Sequence, residues 1–142
     1  MPAALPSTGT YSLTAMAPAG YMIAGGTLAL STRATGTLVI GDSSQPIVIA
    51  RPGQTARYAF SGTAGQLLRL NWTGTVVSIP GVGMVSVNVL KPDGSTLTSS
   101  SFGTGATGGV DIASLPATGT YTVVFNPSYA ATMTAPVTLV TR

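Results

Sequence analysis

Short segments of alternating apolar and polar residues, separated by Gly, Pro and Ser, follow one another along most of the chain. In the segment TYTVVF, Tyr121, Val123 and Phe125 fall on one side and Thr120 and Thr122 on the other, which is the pattern of a half-buried β-strand. No segment keeps apolar residues at the i, i+3, i+4 and i+7 positions of an amphipathic helix. We therefore expect an all-β fold, an antiparallel β-sandwich of the jelly-roll type. Further strands are predicted at residues 10–15, 27–31, 37–40, 47–50, 55–61, 66–72, 85–90, 95–99 and 136–140.

One segment of the chain occurs twice. Residues 5–11 read LPSTGTY and residues 115–121 read LPATGTY, with a single difference. After each copy come an alternating segment, a stretch with Pro and Tyr, and a final segment that ends in Arg33 or Arg142. This spacing predicts one complete repeat at residues 34–142, preceded at residues 1–33 by the last strands of a preceding or partner repeat.

Three longer stretches form a recognisable series: GQTARYAFSGTAGQLLRLNW at 53–72, VSVNVLKPDGSTLTSSS at 85–101 and DIASLPATGTYTVVFNP at 111–127. The series resembles the bacterial pre-peptidase C-terminal (PPC) domain, a β-sandwich appended to secreted enzymes and repeated in large secreted proteins. It is also similar to repeats of Rhs-type surface and toxin proteins. The resemblance implies an extracellular or cell-surface location, although MPAALPSTGTYSL at the start of the chain is not a signal peptide.

The chain departs from the PPC pattern where many members carry Asp residues that bind Ca²⁺. The two corresponding stretches read GQTA at 53–56 and GMVS at 83–86, without a carboxylate. Because a hard cation needs several oxygen ligands, normally including carboxylates, the sequence predicts no calcium site. We expect no other metal and no cofactor.

Charged residues make up only 6% of the 142 residues, against about 25% in typical soluble domains. The acids are Asp42, Asp93 and Asp111, and six scattered basic residues form no patch of the kind that binds nucleic acid. No apolar run is long enough for insertion into a membrane. His and Cys are absent, which removes the usual catalytic triads and thiol nucleophiles. The sequence therefore predicts that this chain is not an enzyme.

The LPATG of residues 115–119 matches the LPxTG signal at which sortases attach proteins to Gram-positive cell walls. Such a signal is followed by an apolar, membrane-length segment, whereas here prolines and polar residues interrupt an alternating strand. We favour a structural interpretation, in which Pro116 and Gly119 make the turn before the strand of Tyr121. A glycine-rich stretch at residues 103–109 lacks the GK[ST] of a phosphate-binding loop and is predicted to be a flexible hairpin loop.

The predicted function is that of a non-catalytic structural module that builds or spaces a bacterial surface assembly. Its expected partners are copies of itself or adjacent repeats, and head-to-tail filaments through β-strand contacts are a hypothesis. The predicted contact residues are Tyr11, Leu13, Leu28 and Leu30 on one side and Leu38, Ile40, Ile47 and Ile49 on the other.

The alternative function is that of a carbohydrate- or substrate-targeting accessory domain of a secreted enzyme. It requires Trp72, Tyr58 and Tyr129 to form an exposed aromatic platform for a glycan. The simpler interpretation of Trp72 is that it packs at the end of its strand, on the same side as Leu68 and Leu70.

Overall fold

A computed structural model describes residues 7–12, 30–79 and 83–142 of the chain. The chain divides into two compact units, Met1–Leu30 and Ser31–Arg142. In the smaller unit the described residues are 7–12 and Leu30. The interpretation of residues 1–33 and 34–142 as a partial and a complete repeat stays a prediction.

The described residues of the larger unit, Ser31–Arg142, form strands and no helix, which confirms the all-β prediction. The predicted bounds of 85–90 match one strand at both ends, and most other predicted strands overlap an observed one. The strands are β1 Ala34–Thr37, β2 Gln45–Ile49, β3 Ala56–Gly62, β4 Leu68–Trp72, β5 Val76–Val77, β6 Val85–Leu90, β7 Thr96–Phe102, β8 Gly108–Ile112, β9 Gly119–Pro127 and β10 Met133–Thr141.

These strands form the two sheets of a β-sandwich. The first sheet has the order β1-β3-β9-β6-β7, and the second has the order β2-β10-β4-β8, with β5 also paired to β10. β1 runs parallel to β3, and the other strand pairs are antiparallel. The chain passes from the first sheet to the second between Leu38, whose N–H bonds to β3, and Ile40, which bridges to β10.

The alternation of the sequence decides which side chains fill the space between the sheets. Along β4, Leu68, Leu70 and Trp72 are buried, while Arg69 and Asn71 lie on the outer face. Along β9 the side chains of the predicted apolar face are likewise buried. Aromatic pairs fill the core: the rings of Phe60 and Tyr121 stack at 5.3 Å, and those of Trp72 and Phe102 lie 5.0 Å apart across the two sheets.

Residues 103–107 of the glycine-rich stretch form a loop between β7 and β8, as the sequence predicts, but the last two residues of the stretch belong to a strand. Gly108 and Gly109 begin β8, which pairs with β4. A Cβ on Gly109 would lie 2.5 Å from the carbonyl oxygen of Leu70, and a Cβ on Gly108 would lie 3.6 Å from the indole nitrogen of Trp72. Glycine therefore allows β8 and β4 to approach closely at this point. Because these glycines have no side chains, they show no alternation of apolar and polar residues, and the strand is not predicted from the sequence.

The rest of the glycine-rich stretch is held against β5 by two threonines. Thr75 is 1% exposed, and its hydroxyl donates to the carbonyl oxygen of Gly103 at 2.5 Å and accepts from the N–H of Ala106 at 2.9 Å. The Thr104 hydroxyl accepts from the N–H of Val77 at 2.8 Å and donates to its carbonyl oxygen at 2.9 Å. The two threonine hydroxyls thus form hydrogen bonds with backbone N–H and C=O groups that would pair with a neighbouring strand in a regular sheet.

Candidate assembly interface

The segment that contains LPATG is built into the sandwich. The side chain of Leu115 is buried, its N–H donates to Gln66 at 3.0 Å, and its carbonyl oxygen accepts from Gly65 at 2.8 Å. The chain then bends at residues 116–118, and β9 begins at Gly119. The predicted turn before the strand of Tyr121 is therefore present, and the motif has a structural role in the fold.

A hydrogen bond from the Tyr121 hydroxyl stabilises this turn. The Tyr121 Oη donates to the carbonyl oxygen of Ala117 at 2.6 Å and lies 3.3 Å from the N–H of the same residue. The first copy of the motif makes the same contact, because the Tyr11 Oη donates to the carbonyl oxygen of Ser7 at 2.5 Å and lies 3.3 Å from its N–H. We call this arrangement the tyrosine turn. It occurs at equivalent positions of the two similar segments.

The surroundings of the two tyrosine rings differ. The ring of Tyr121 is fully buried and stacks on Phe60, its cross-strand partner on β3. The side chain of Tyr11 is 48% exposed. The first tyrosine turn therefore has the hydrogen bonds of the second without its buried ring.

The predicted contact residues of the smaller unit are exposed where the structure describes them. Leu30 is 82% exposed and Tyr11 is about half exposed. Leu13 and Leu28 lie outside the described residues. Both described residues are thus accessible to a partner, although the contact itself stays a prediction.

The predicted contact residues of the larger unit lie on the inner side of the fold rather than on an exposed face. Leu38, Ile47 and Ile49 are buried in the core, and Ile40 is partly buried and packs against it. Alternation identifies residues that share a face, but the position of the opposite sheet decides which face is covered. The exposed residues of the same segments are Val39 and Val48, at 57% and 45% exposure, and neither is among the predicted contact residues.

Val48 belongs to a small apolar row on the outer face of the second sheet. Thr134 on β10 lies opposite Val48 of β2 on one side and opposite Val76 of β5 on the other. Beside this row is a shallow depression of about 160 Å³. Isolated exposed valines are common on protein surfaces, so the row can add to a strand contact but does not define a docking site by itself.

The opposite end of the same face carries an ionic group. Asp111 on β8 accepts from Arg69 at 2.5 Å and lies 3.3 Å from the guanidinium of Arg142. The Arg69 Nε also donates to the Asn71 Oδ1 at 2.8 Å. All three charged side chains are partly exposed, so water weakens their attraction and the group contributes little to stability.

The three aromatic residues of the alternative platform lie in separate parts of the sandwich. Trp72, on β4, is 4% exposed, which agrees with the interpretation that it packs in the core. Tyr58, on β3, meets the ring of Phe125 edge to face and also covers Gly36 of β1. Tyr129, between β9 and β10, is 75% exposed. The buried ring of Trp72 has no open face for a sugar.

Asp93, in the turn between β6 and β7, is bound within that turn. Its carboxylate accepts from the Ser95 hydroxyl at 2.6 Å and from the Ser95 N–H at 2.8 Å, and these bonds lower the pKa of Asp93 below its ordinary value of 3.8. Among residues 7–12, 30–79 and 83–142, no three acidic, His or Cys side chains gather into a group that could hold a metal ion. Within the same described ranges, no helix has the length and apolar character needed to cross a membrane.

A comparison with solved structures relates this sandwich to a known domain. The crystal structure of the pre-peptidase C-terminal domain of a collagenase from Bacillus anthracis matches with a TM-score of 0.52 and 9% sequence identity, over 78% of this chain and 99% of that domain. The chain has a PPC-like fold. The resemblance seen in the sequence is therefore confirmed at the level of the fold.

A second structure is similar over a comparable length. It is PliG from Aeromonas hydrophila, a periplasmic inhibitor of g-type lysozyme, with a TM-score of 0.47 and 16% identity over 76% of this chain and 99% of that protein. No family model and no curated protein matches the sequence.

Proposed function

We propose that this chain is a non-catalytic, exported bacterial module that joins with adjacent repeats or with copies of itself through β-strand contacts and so builds a surface assembly. The main observation in support of this proposal is the tyrosine turn, which occurs once with a buried ring and once with a half-exposed ring. The PPC-like fold supports an accessory role, because the similar structure is one domain of a larger collagenase. The absence of His and Cys from the sequence supports a role without catalysis.

The strands on either side of Tyr121 indicate which strands would be needed to bury the ring of Tyr11. Tyr121 lies on β9, which pairs with β3 on one side and with β6 on the other. Full burial of a side chain of this size stabilises a fold by roughly 1.5–3 kcal/mol. Strands equivalent to β3 and β6 would cover the ring of Tyr11 and bring a comparable stabilisation to the contact between units.

Two sources can supply those strands. One is a preceding repeat in a longer chain, which would complete its own sandwich with residues 1–33. The other is a second copy of this chain, in which the place between β3 and β6 is already taken by β9. Assembly of free copies therefore requires residues 1–33 of one copy to displace β9 and β10 of the next copy. Because of this displacement we expect assembly to be slow, and we expect the fraction of assembled protein to increase with protein concentration.

The test compares the full chain with two tyrosine variants by light scattering and negative-stain electron microscopy. We expect head-to-tail polymers from the full chain and a shift towards monomers in Tyr11→Ala. Tyr129→Ala is the matched control, because it removes another exposed tyrosine that takes no part in a tyrosine turn. Equal polymer formation by the full chain and Tyr11→Ala would overturn the role of this contact, whereas monomers in all three samples would restrict it to a preceding repeat in a longer chain.

Binding of a carbohydrate has less support. It would need the ring of Trp72 to leave the core, where it packs against Phe102.

A further inference from the structure

The turn between β6 and β7 contains a peptide bond that can rearrange without an enzyme. Asp93 is followed there by Gly94, and both residues are exposed. In an Asp-Gly pair the glycine nitrogen can attack the side-chain carboxyl carbon of the aspartate, because no Cβ on the glycine shields that nitrogen. The other two aspartates of the chain precede Ser43 and Ile112, whose side chains hinder such an attack.

The rearrangement has two steps and consumes no reagent besides water. In the first step the Gly94 nitrogen loses its proton and bonds to the Cγ of Asp93, and one carboxyl oxygen leaves as water, which gives a succinimide ring. In the second step water opens the ring. Opening at the main-chain carbonyl carbon of Asp93 leaves isoaspartate, in which the main chain continues through Cβ and Cγ. One water leaves and one enters, so the product is an isomer of the original chain.

The turn binds both reacting groups to other partners. The N–H of Gly94 donates to the carbonyl oxygen of Lys91 at 2.9 Å, so the attacking nitrogen is engaged within the turn. One carboxylate oxygen of Asp93 accepts from the hydroxyl of Ser95 at 2.6 Å and from its N–H at 2.8 Å. The other carboxylate oxygen lies 3.6 Å from the ammonium nitrogen of Lys91. Ring closure must break these contacts.

The charge of the carboxyl group acts in the same direction as these contacts. A nucleophile attacks a neutral carboxyl group far more readily than a carboxylate, which carries negative charge. The hydrogen bonds from Ser95 favour the charged form and lower the pKa of Asp93. The folded turn therefore opposes ring closure both through the position of the reacting groups and through their protonation.

We propose that Asp93–Gly94 is a site of spontaneous isomerisation and that Ser95 holds this reaction back in the folded chain. The inference is independent of the proposed assembly, because this turn takes no part in the tyrosine turns.

The expected consequence is a loss of pairing that begins at β7. Isoaspartate adds one carbon to the main chain inside a tight turn, in which the N–H of Lys91 also donates to the carbonyl oxygen of Ser95 at 2.8 Å. In the described part of the chain, β7 pairs with β6 and with no other strand. A turn that no longer closes therefore weakens the hold on β7 before it affects the centre of the sheet.

The first experiment compares the folded and the unfolded chain. The full chain is kept warm at neutral pH for several weeks, with and without guanidinium chloride at a concentration that unfolds it. Isoaspartate is measured by peptide mapping with electron-transfer fragmentation, which distinguishes it from aspartate of the same mass. Because the orientation of reacting groups strongly affects an intramolecular step, we expect isoaspartate at residue 93 to form at least about tenfold more slowly in the folded chain.

The second experiment changes Ser95. Ser95→Ala removes the hydroxyl bond to Asp93 and keeps the bond from the backbone N–H, so isoaspartate should form about threefold faster or more in the folded chain. Ser95→Thr keeps a hydroxyl and should stay close to the unmodified chain. Thr75→Val is the matched control, because it removes hydrogen bonds elsewhere in the unit and leaves this turn intact. It should not accelerate the reaction as Ser95→Ala does.

Three results would overturn the proposal. Absence of isoaspartate from the unfolded chain would show that Asp93–Gly94 is not such a site. Equal rates in the folded and the unfolded chain would show that the turn gives no protection. No acceleration in Ser95→Ala, or an equal acceleration in Thr75→Val, would show that Ser95 does not hold the reaction back.

Discussion

The buried hydroxyl of Thr75 provides a quantitative test of how the loop after β7 is held. Replacing Thr75 with Val keeps the shape of the side chain and removes its hydroxyl. The carbonyl oxygen of Gly103 and the N–H of Ala106 then lose their partner beside a side chain that is almost fully buried. Each such group costs about 1–3 kcal/mol when it stays unsatisfied. Since water reaches part of the loop, we expect a total loss of about 2–3 kcal/mol in the free energy of unfolding.

Thr104→Val is the matched control. Thr104 also makes two hydrogen bonds, both to Val77, but its side chain lies on the exposed side of the loop. Water can replace the lost hydroxyl there, so the expected loss is below about 1 kcal/mol.

The assay is urea unfolding followed by the fluorescence of Trp72, the single tryptophan, whose ring is buried in the folded state. For a unit of this size, 1 kcal/mol corresponds to about 4 °C in Tm, so Thr75→Val should unfold about 8–12 °C lower. The amide of Ala106 should also exchange its hydrogen faster. A loss below about 0.5 kcal/mol in the free energy of unfolding of Thr75→Val, or an equal loss in both variants, would refute the argument that burial of the hydroxyl determines its contribution to stability.

Three further predictions concern other parts of the sandwich. Trp72→Ala should remove about 3–5 kcal/mol from the free energy of unfolding, measured by circular dichroism in urea, because the ring fills the core beside Phe102. Gly109→Ala should cost about 1–3 kcal/mol in the same assay, since its Cβ would lie 2.5 Å from a carbonyl oxygen of β4; a neutral substitution would contradict the close strand approach. The lowered pKa of Asp93 means that its bonds to Ser95 stabilise the fold above pH 3.8 and are lost as the pH falls through the lowered value. Asp93→Ala should therefore reduce the difference in urea midpoint between neutral pH and a pH well below 3.8, and an unchanged difference would count against this effect.

The sequence was most informative where alternation is regular. The bounds of β6 and the buried face of β9 follow from it directly, because a period of two leaves only one division into faces. β5 and β8 were missed for separate reasons. β5 has two residues, too few to show an alternation of apolar and polar side chains, and is defined by its pairing with β10. β8 begins with glycines, which contribute nothing to such an alternation.

The candidate interface was less accessible to sequence reasoning than the fold. Tyr11 and Leu30 are exposed, consistent with a role in a contact, but Ile47 and Ile49 point into the core while Val48 between them points out. Both faces of this strand are apolar, so composition could not distinguish the inner face from the outer one.

The tyrosine turn also bears on how such a chain folds. Its hydrogen bond joins residues only four positions apart, so closing the loop costs little entropy and the turn can form early, before distant strands meet. In a protein with several similar repeats, a characteristic folding error is the pairing of a strand with the equivalent place in a neighbouring repeat. A turn that forms within its own segment sets the direction of the following strand before neighbouring repeats compete for it, and thereby favours correct pairing during synthesis.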